Sequence, residues 1–131
     1  MKTLIVDDAE ADRVVVQTIL LKYSECDFAG NGKEAIDAFQ CAWTAGDPYD
    51  LVCLDIQMPI LDGFEALKLL REMEGAMNVS DDERCRIFMI TGHTTVTGRD
   101  RARTLGCDAY FLKPIRPGLF MNRVQTFGLL E

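Results

Sequence analysis

The chain has 131 residues, 48% of them hydrophobic and 27% charged, which suits one globular domain with its own core and excludes a disordered chain. Fourteen basic against twenty-one acidic side chains leave a net charge of −7, an argument against phosphate-backbone binding as the main activity. Five scattered cysteines without a C-x-x-C pair, and the single His93, argue against a disulfide framework, a zinc site or a histidine-rich metal site. Reduced thiols packed as small apolar groups are expected instead. Met1-Lys2 runs straight into an apolar strand pattern with no signal peptide, and the apolar stretch at 14–21 is too short to span a bilayer. A soluble cytoplasmic chain is the expectation.

Leu4-Ile5-Val6 predicts the first strand, and Asp7-Asp8 follow it directly. A helix over about 9–22 comes next, with Ala11, Val15, Thr18 and Ile19 as its expected inward face. Residues 26–29 give the weakest strand pattern of the chain. The second helix opens on Asn31-Gly32-Lys33-Glu34, where Asn31 suits a cap and Glu34 suits a reach back, and Ile36, Phe39 and Trp43 form its stripe.

The run 51–54, Leu-Val-Cys-Leu, has the composition of a strand buried on both faces, yet it leads into the carboxylate of Asp55. Met58-Pro59 then builds a turn, and Asp62-Gly63-Phe64-Glu65 starts a third helix carrying Phe64, Leu67 and Leu70 inward. The polar stretch 75–84 reads as a surface excursion. A fourth strand at 87–90 leads into Thr91-Gly92, and a fourth helix at about 96–105 stops at Gly106. The fifth strand, 109–112, runs into Lys113-Pro114, and the helix after Pro117 presents Phe120, Val124 and Phe127. Five strands alternating with five helices predict an α/β fold with a parallel sheet, one domain over 1–131.

In such folds functional groups collect beyond the carboxyl ends of the strands. Those ends carry Asp7 and Asp8, Asp55, Thr91 and Lys113, with no glycine-rich dinucleotide turn and no P-loop. Asp7 and Asp8 also suit capping of the first helix, and a lone Thr91 or Lys113 would be unremarkable. Together they are another matter. Three converging carboxylates repel one another, and a hard divalent cation relieves the repulsion; magnesium needs only a few carboxylates and keeps several waters. With Lys113 nearby the site is close to neutral and suits an incoming phosphoryl group.

This set, Asp7-Asp8, then Asp55 with Met58-Pro59 and Asp62-Gly63 behind it, then Thr91-Gly92 and Lys113-Pro114, resembles the receiver domain of two-component response regulators, including the chemotaxis receivers. The resemblance spans essentially the whole chain. It implies a flavodoxin-like, doubly wound sheet of five parallel strands in the order 2-1-3-4-5, flanked by five helices. It further implies that Asp55 is the phosphoacceptor. Asp8 and Asp55 would contact magnesium, with the Gln57 backbone carbonyl as a further ligand and Asp7 acting through water. Lys113 would pair with the phosphoryl group and Thr91 would hydrogen-bond it, while Tyr110 matches the aromatic position that turns inward when the threonine moves.

The implied partners are a sensor histidine kinase or phosphotransfer protein and a downstream effector protein, with a phosphorylation-dependent dimer as a further outcome. Neither direct nucleic-acid binding nor membrane insertion is expected. The chain would be a phosphoacceptor switch with slow autodephosphorylation and not an enzyme acting on separate substrates. Its readout face would be the fourth helix, last strand and fifth helix.

Two departures and two alternatives stand beside this reading. The separation of Asp55 from Thr91 is longer than usual in the family, and Gln57 and His93 occupy positions that often tune phosphoryl lifetime. Because the pattern ends with the fifth helix, no output domain is expected, although a receiver cut from a longer hybrid kinase or regulator fits the same residues. A phosphohydrolase of the haloacid-dehalogenase type would want a second acid two residues beyond the nucleophile, where Gln57 stands.

Overall fold

The computed structural model describes residues 1–93 and 95–130. Strands and helices alternate: β1 (Lys2–Val6), α1 (Glu10–Leu20), β2 (Glu25–Ala29), α2 (Gly32–Thr44), β3 (Leu51–Asp55), α3 (Gly63–Ala76), β4 (Arg86–Thr91), α4 (Val96–Thr104), β5 (Ala109–Leu112) and α5 (Pro117–Thr126). The five strands form one parallel sheet in the order β2-β1-β3-β4-β5. Successive side chains on a strand point to opposite faces, and the core divides accordingly. Leu4, Val6, Val52, Leu54, Ile87 and Met89 meet α2, α3 and α4 on one face. Ile5, Leu51, Cys53, Phe88 and Ile90 meet α1 and α5 on the other. There Phe120 stands edge-on to Phe88, with ring centroids 5.5 Å apart.

Every residue of β3 is buried, which explains its unbroken apolar run. β2 lies at the sheet edge with Glu25, Asp27 and Phe28 exposed, so its pattern is faint. The capping signals hold: the Asn31 side chain accepts from the Glu34 N–H and Asp62 from the Glu65 N–H, both at 2.9 Å. Glu34 reaches back one residue further than a capping box requires, accepting from the Gly30 N–H at 2.8 Å. Gly106 ends α4 with a φ of +104°. Among its nine residues, α4 buries only Ala102.

Three expectations need correction. The inward face of α1 is Val16 and Leu20; Val15, Ala11 and Thr18 are exposed and Ile19 is half-buried. The apolar runs 14–16 and 19–21 permit more than one facing, and the contact with β1 and the site selects the 12–16–20 stripe.

The stretch 75–84 is not wholly a surface excursion, since α3 extends through Ala76 and Arg84 is drawn to Asp108 at 2.9 Å. Asp108, nearly inaccessible, also accepts from Arg71 at 2.7 Å and from the Ile87 N–H at 2.8 Å. Glu74 pairs with Arg71 and accepts from the Cys85 N–H at 2.8 Å, so the segment after α3 is stapled to the lower edge of the sheet. Finally, Cys53 and Cys85 are buried, and burial raises both thiol pKa values, but Cys41 is exposed.

Candidate functional site

Backbone pairing continues just past the strands and fixes the groups at their carboxyl ends. The Asp7 N–H donates to the Ala29 carbonyl at 3.1 Å, and the Lys113 N–H to the Thr91 carbonyl at 2.7 Å. By strand parity Asp7, Asp55 and Lys113 extend the face covered by α1 and α5, whereas Thr91 and Tyr110 belong to the face covered by α3 and α4. The site is therefore divided by the sheet: charge on one side, the hydroxyl and the aromatic ring on the other.

Asp7, Asp8 and Asp55 offer carboxylate oxygens that all lie within 4.8 Å of one another. Asp7 and Asp55 are buried and Asp8 is exposed. The Lys113 ammonium donates to Asp7 and to Asp12, each at 2.9 Å, and stands 3.7 Å from Asp55. Asp7 does not cap α1 in the usual way; its Oδ1 accepts from the Ala9 N–H at 3.0 Å, while its backbone carbonyl accepts from Arg13 at 2.8 Å.

The loop from Asp55 to α3 is held by two close approaches. A Cβ on Gly63 would lie 2.3 Å from the Asp55 carbonyl oxygen, and one on Gly32 would lie 2.5 Å from that of Leu61. Glycine at the first position of α2 and of α3 thus lets both helices close on this loop. Within it, the Leu61 N–H donates to the Pro59 carbonyl at 2.8 Å across Ile60, whose φ is +71°. Gln57 is exposed.

Burial is the largest influence on Asp55 and the neighbouring Asp7 charge the next; against the opposing pull of Lys113 they push its pKa up to about 6. Burial alone would lower Lys113, but its hydrogen bonds to Asp12 and Asp7 and the Asp55 charge outweigh that and raise it. Four carboxylates around one ammonium leave an excess of negative charge. The all-oxygen donor set and that excess fit a hard divalent ion such as magnesium, to which Asp7, Asp8 and Asp55 each offer a carboxylate oxygen.

Thr91 is buried, and its hydroxyl donates to the His93 carbonyl at 2.8 Å. To serve a group on Asp55 the hydroxyl must leave that bond. His93 itself is exposed. Tyr110 is half-buried, and its hydroxyl lies 3.7 Å from where a Gly98 Cβ would sit. Arg99 stacks on the Tyr110 ring and Arg101 on Phe64, with centroid distances of 5.4 and 4.3 Å. All the residues expected at strand ends therefore converge on one edge of the sheet.

Asp12 is the site residue that strand-end reasoning passed over, since it lies on α1. The signal was present: Asp12, Val16 and Leu20 recur every four residues, which places Asp12 on the inward stripe.

A family model for the response regulator receiver domain matches residues 3–125. Hybrid signal transduction histidine kinase I of Dictyostelium discoideum is 30% identical over 126 residues, which is 95% of this chain and 7% of that protein. Two-component response regulator 24 of Arabidopsis thaliana is 38% identical over 74 residues, 56% of this chain and 50% of that protein. Among solved structures, the Vibrio cholerae chemotaxis protein CheY4 matches with a TM-score of 0.79 at 26% identity, covering 96% of this chain and 97% of its own. The receiver domain of the Saccharomyces cerevisiae response regulator Ssk1, solved with the histidine phosphotransfer protein Ypd1, matches with a TM-score of 0.81 at 25% identity, covering 98% and 89%.

Proposed function

Because the chain belongs to the response regulator receiver domain family, we propose that Asp55 accepts a phosphoryl group from the phosphohistidine of a histidine kinase or phosphotransfer protein. The observation that carries this reading is the convergence of Asp7, Asp8 and Asp55 within 4.8 Å, with Lys113 alongside. One Asp55 oxygen forms the new bond to phosphorus, the phosphorus–nitrogen bond breaks, and the electron pair returns to the donor imidazole. Asp8, Asp55 and the Gln57 carbonyl would hold magnesium, with Asp7 reaching it through water. When bound, the ion neutralises charge on the reacting oxygens.

Lys113 is 3.7 Å from Asp55, close enough to shift from Asp7 and Asp12 onto a phosphoryl oxygen. Thr91 then exchanges its bond to the His93 carbonyl for another such oxygen, and Tyr110 moves into the space released. The chain acts in this reading as a phosphoacceptor switch whose signal decays by slow autodephosphorylation, and not as an enzyme on free substrates. The surface of α4, β5 and α5 changes with Thr91 and Tyr110, and a downstream protein that prefers one state reads it. The yeast complex of Ypd1 with the Ssk1 receiver supports a phosphotransfer protein as donor. The hybrid kinases among the relatives favour a second placement, in which the same chemistry serves a receiver within a sensor kinase.

The test is incubation with magnesium and acetyl phosphate followed by intact mass measurement. One labile phosphoryl adduct is expected, absent after chelation and absent in Asp55→Asn. An adduct that persists in Asp55→Asn would overturn the assignment of the phosphoacceptor, and sustained turnover of unrelated phosphate esters would favour a phosphohydrolase.

A further inference from the structure

The charge of this chain is unevenly spread. Against a total of −7, residues 95–130 carry Arg99, Arg101, Arg103, Lys113, Arg116 and Arg123 with only Asp100 and Asp108 as acids. All five of those arginines are exposed, whereas Asp108 is nearly inaccessible and engaged by Arg71, Arg84 and Arg86. The surface of α4, β5 and α5 is thus a cationic face on an acidic protein.

We infer that this face docks an acidic segment of a partner protein, whose carboxylates pair with Arg99, Arg103 and Arg123 beside Tyr110. Arg99 and Arg103 are one helical turn apart on α4 and face the same way. Together with Arg123 of α5, Tyr110, Cys107 and Asp108, whose carboxylate is held by Arg71, Arg84 and Arg86, they line a depression of about 210 Å³. Guanidinium groups in this arrangement suit bidentate pairing with carboxylates. Among the described residues, Arg99 and Arg123 pair with no carboxylate. Arg103 meets only Asp100, at 2.6 Å, and that pair is so exposed that a partner carboxylate exchanges with it at little cost. Val96, 80% exposed at the start of α4, and Leu119, 57% exposed on α5, add apolar contact at the rim.

A symmetric pair of copies joined through this face would set arginines against arginines, which disfavours self-association there. A nucleic acid would meet the strongly acidic remainder of the chain. The dependence of docking on phosphorylation rests on the reading given under Proposed function. Tyr110 forms part of the depression, and its movement would change the seat offered to the acidic segment.

The experiment measures fluorescence anisotropy of a labelled peptide of glutamate, leucine and glycine, before and after treatment with magnesium and acetyl phosphate. Controls are its glutamine counterpart and a DNA oligonucleotide of equal charge. Arg99→Gln/Arg103→Gln should weaken glutamate-peptide binding by about tenfold or more. Lys33→Gln/Lys68→Gln changes net charge equally on exposed sites elsewhere and should leave it within about twofold. Arg123→Gln provides a second, independent loss from α5, and circular dichroism confirms folding. Equal losses in both double variants, equal binding of the glutamine peptide, or tighter binding of the oligonucleotide would each overturn the inference. Intact mass on the same samples separates the two readings. A missing adduct with arginine-dependent binding intact rejects the phosphoacceptor and upholds the acidic dock, whereas an adduct without arginine-dependent binding rejects the dock.

Discussion

Lys113 is held by Asp12 as closely as by Asp7, at 2.9 Å in each case, although Asp12 and Lys113 are 101 residues apart in the chain. The same ammonium lies 3.7 Å from Asp55, so three carboxylates compete for one cation. Asp12 is the most exposed of the three and contributes a negative charge at the mouth of the site, where the proposed phosphoryl donor would enter.

Replacing Asp12 should therefore ease phosphorylation. Asp12→Asn frees Lys113 to move toward Asp55 and lowers repulsion of the donor. An initial rate with acetyl phosphate about two- to tenfold above wild type is expected by intact mass, with Asp12→Glu returning to the wild-type rate. A slower Asp12→Asn would show that Asp12 instead keeps Lys113 in its working position.

The raised pKa of Asp55 sets a pH dependence with a definite sign. The folded state binds the proton more tightly than the unfolded one, so no penalty exists below pH 4 and the full penalty is present above about pH 6. In the presence of a chelator, Asp55→Asn should be more stable than wild type above pH 6 by roughly 1–3 kcal/mol, and the advantage should vanish as the pH falls to about 4. Urea denaturation across that range measures it. An advantage of equal size at both ends would exclude charge as its cause.

Gly63 tests the loop. A methyl group there would sit 2.3 Å from the Asp55 carbonyl oxygen and 2.7 Å from the Ile56 Cα, both backbone atoms that cannot swing aside. Gly63→Ala should lose about 2–4 kcal/mol of stability and lower the phosphorylation rate together, because the clash displaces Asp55, the proposed phosphoacceptor. Retention of the wild-type melting temperature would show that α3 shifts freely.

Asp108 tests the opposite edge. Its carboxylate accepts from Arg71 at 2.7 Å and from Arg84 at 2.9 Å while shielded from water. Asp108→Ala should cost about 3–5 kcal/mol by removing the shared partner of Arg71, Arg84 and Arg86, which leaves Arg71 with Glu74 alone, without changing the phosphorylation rate of the protein that remains folded. A loss below about 1 kcal/mol would mean that the arginines find water instead.

The sequence made the upper edge legible because its chemistry sits in short, ordered words. Asp7-Asp8 and Lys113 directly follow apolar strands, Asp55 and Thr91 close theirs, and strand parity with parallel order then brings them together. Asp12 and the α1 facing escaped because consecutive valines leave the helix without a unique apolar stripe. The Arg71–Asp108 staple escaped for a different reason. Both residues lie among other charges, their separation of 37 positions has no local signature, and a charged residue in a polar stretch is ordinarily solvated.

α4 is anchored by a single buried side chain, Ala102, and it faces Tyr110 and Phe64 with the bare backbone of Gly98. Little apolar area has to be given up when such a helix is re-posed. Inverting a two-state population from about 1:99 to 99:1 takes roughly 5.5 kcal/mol of differential interaction. A few charge-assisted bonds from Thr91 and Lys113 to one phosphoryl group are of that order. Were α4 as firmly seated as α3, the same chemical event would leave the molecule silent.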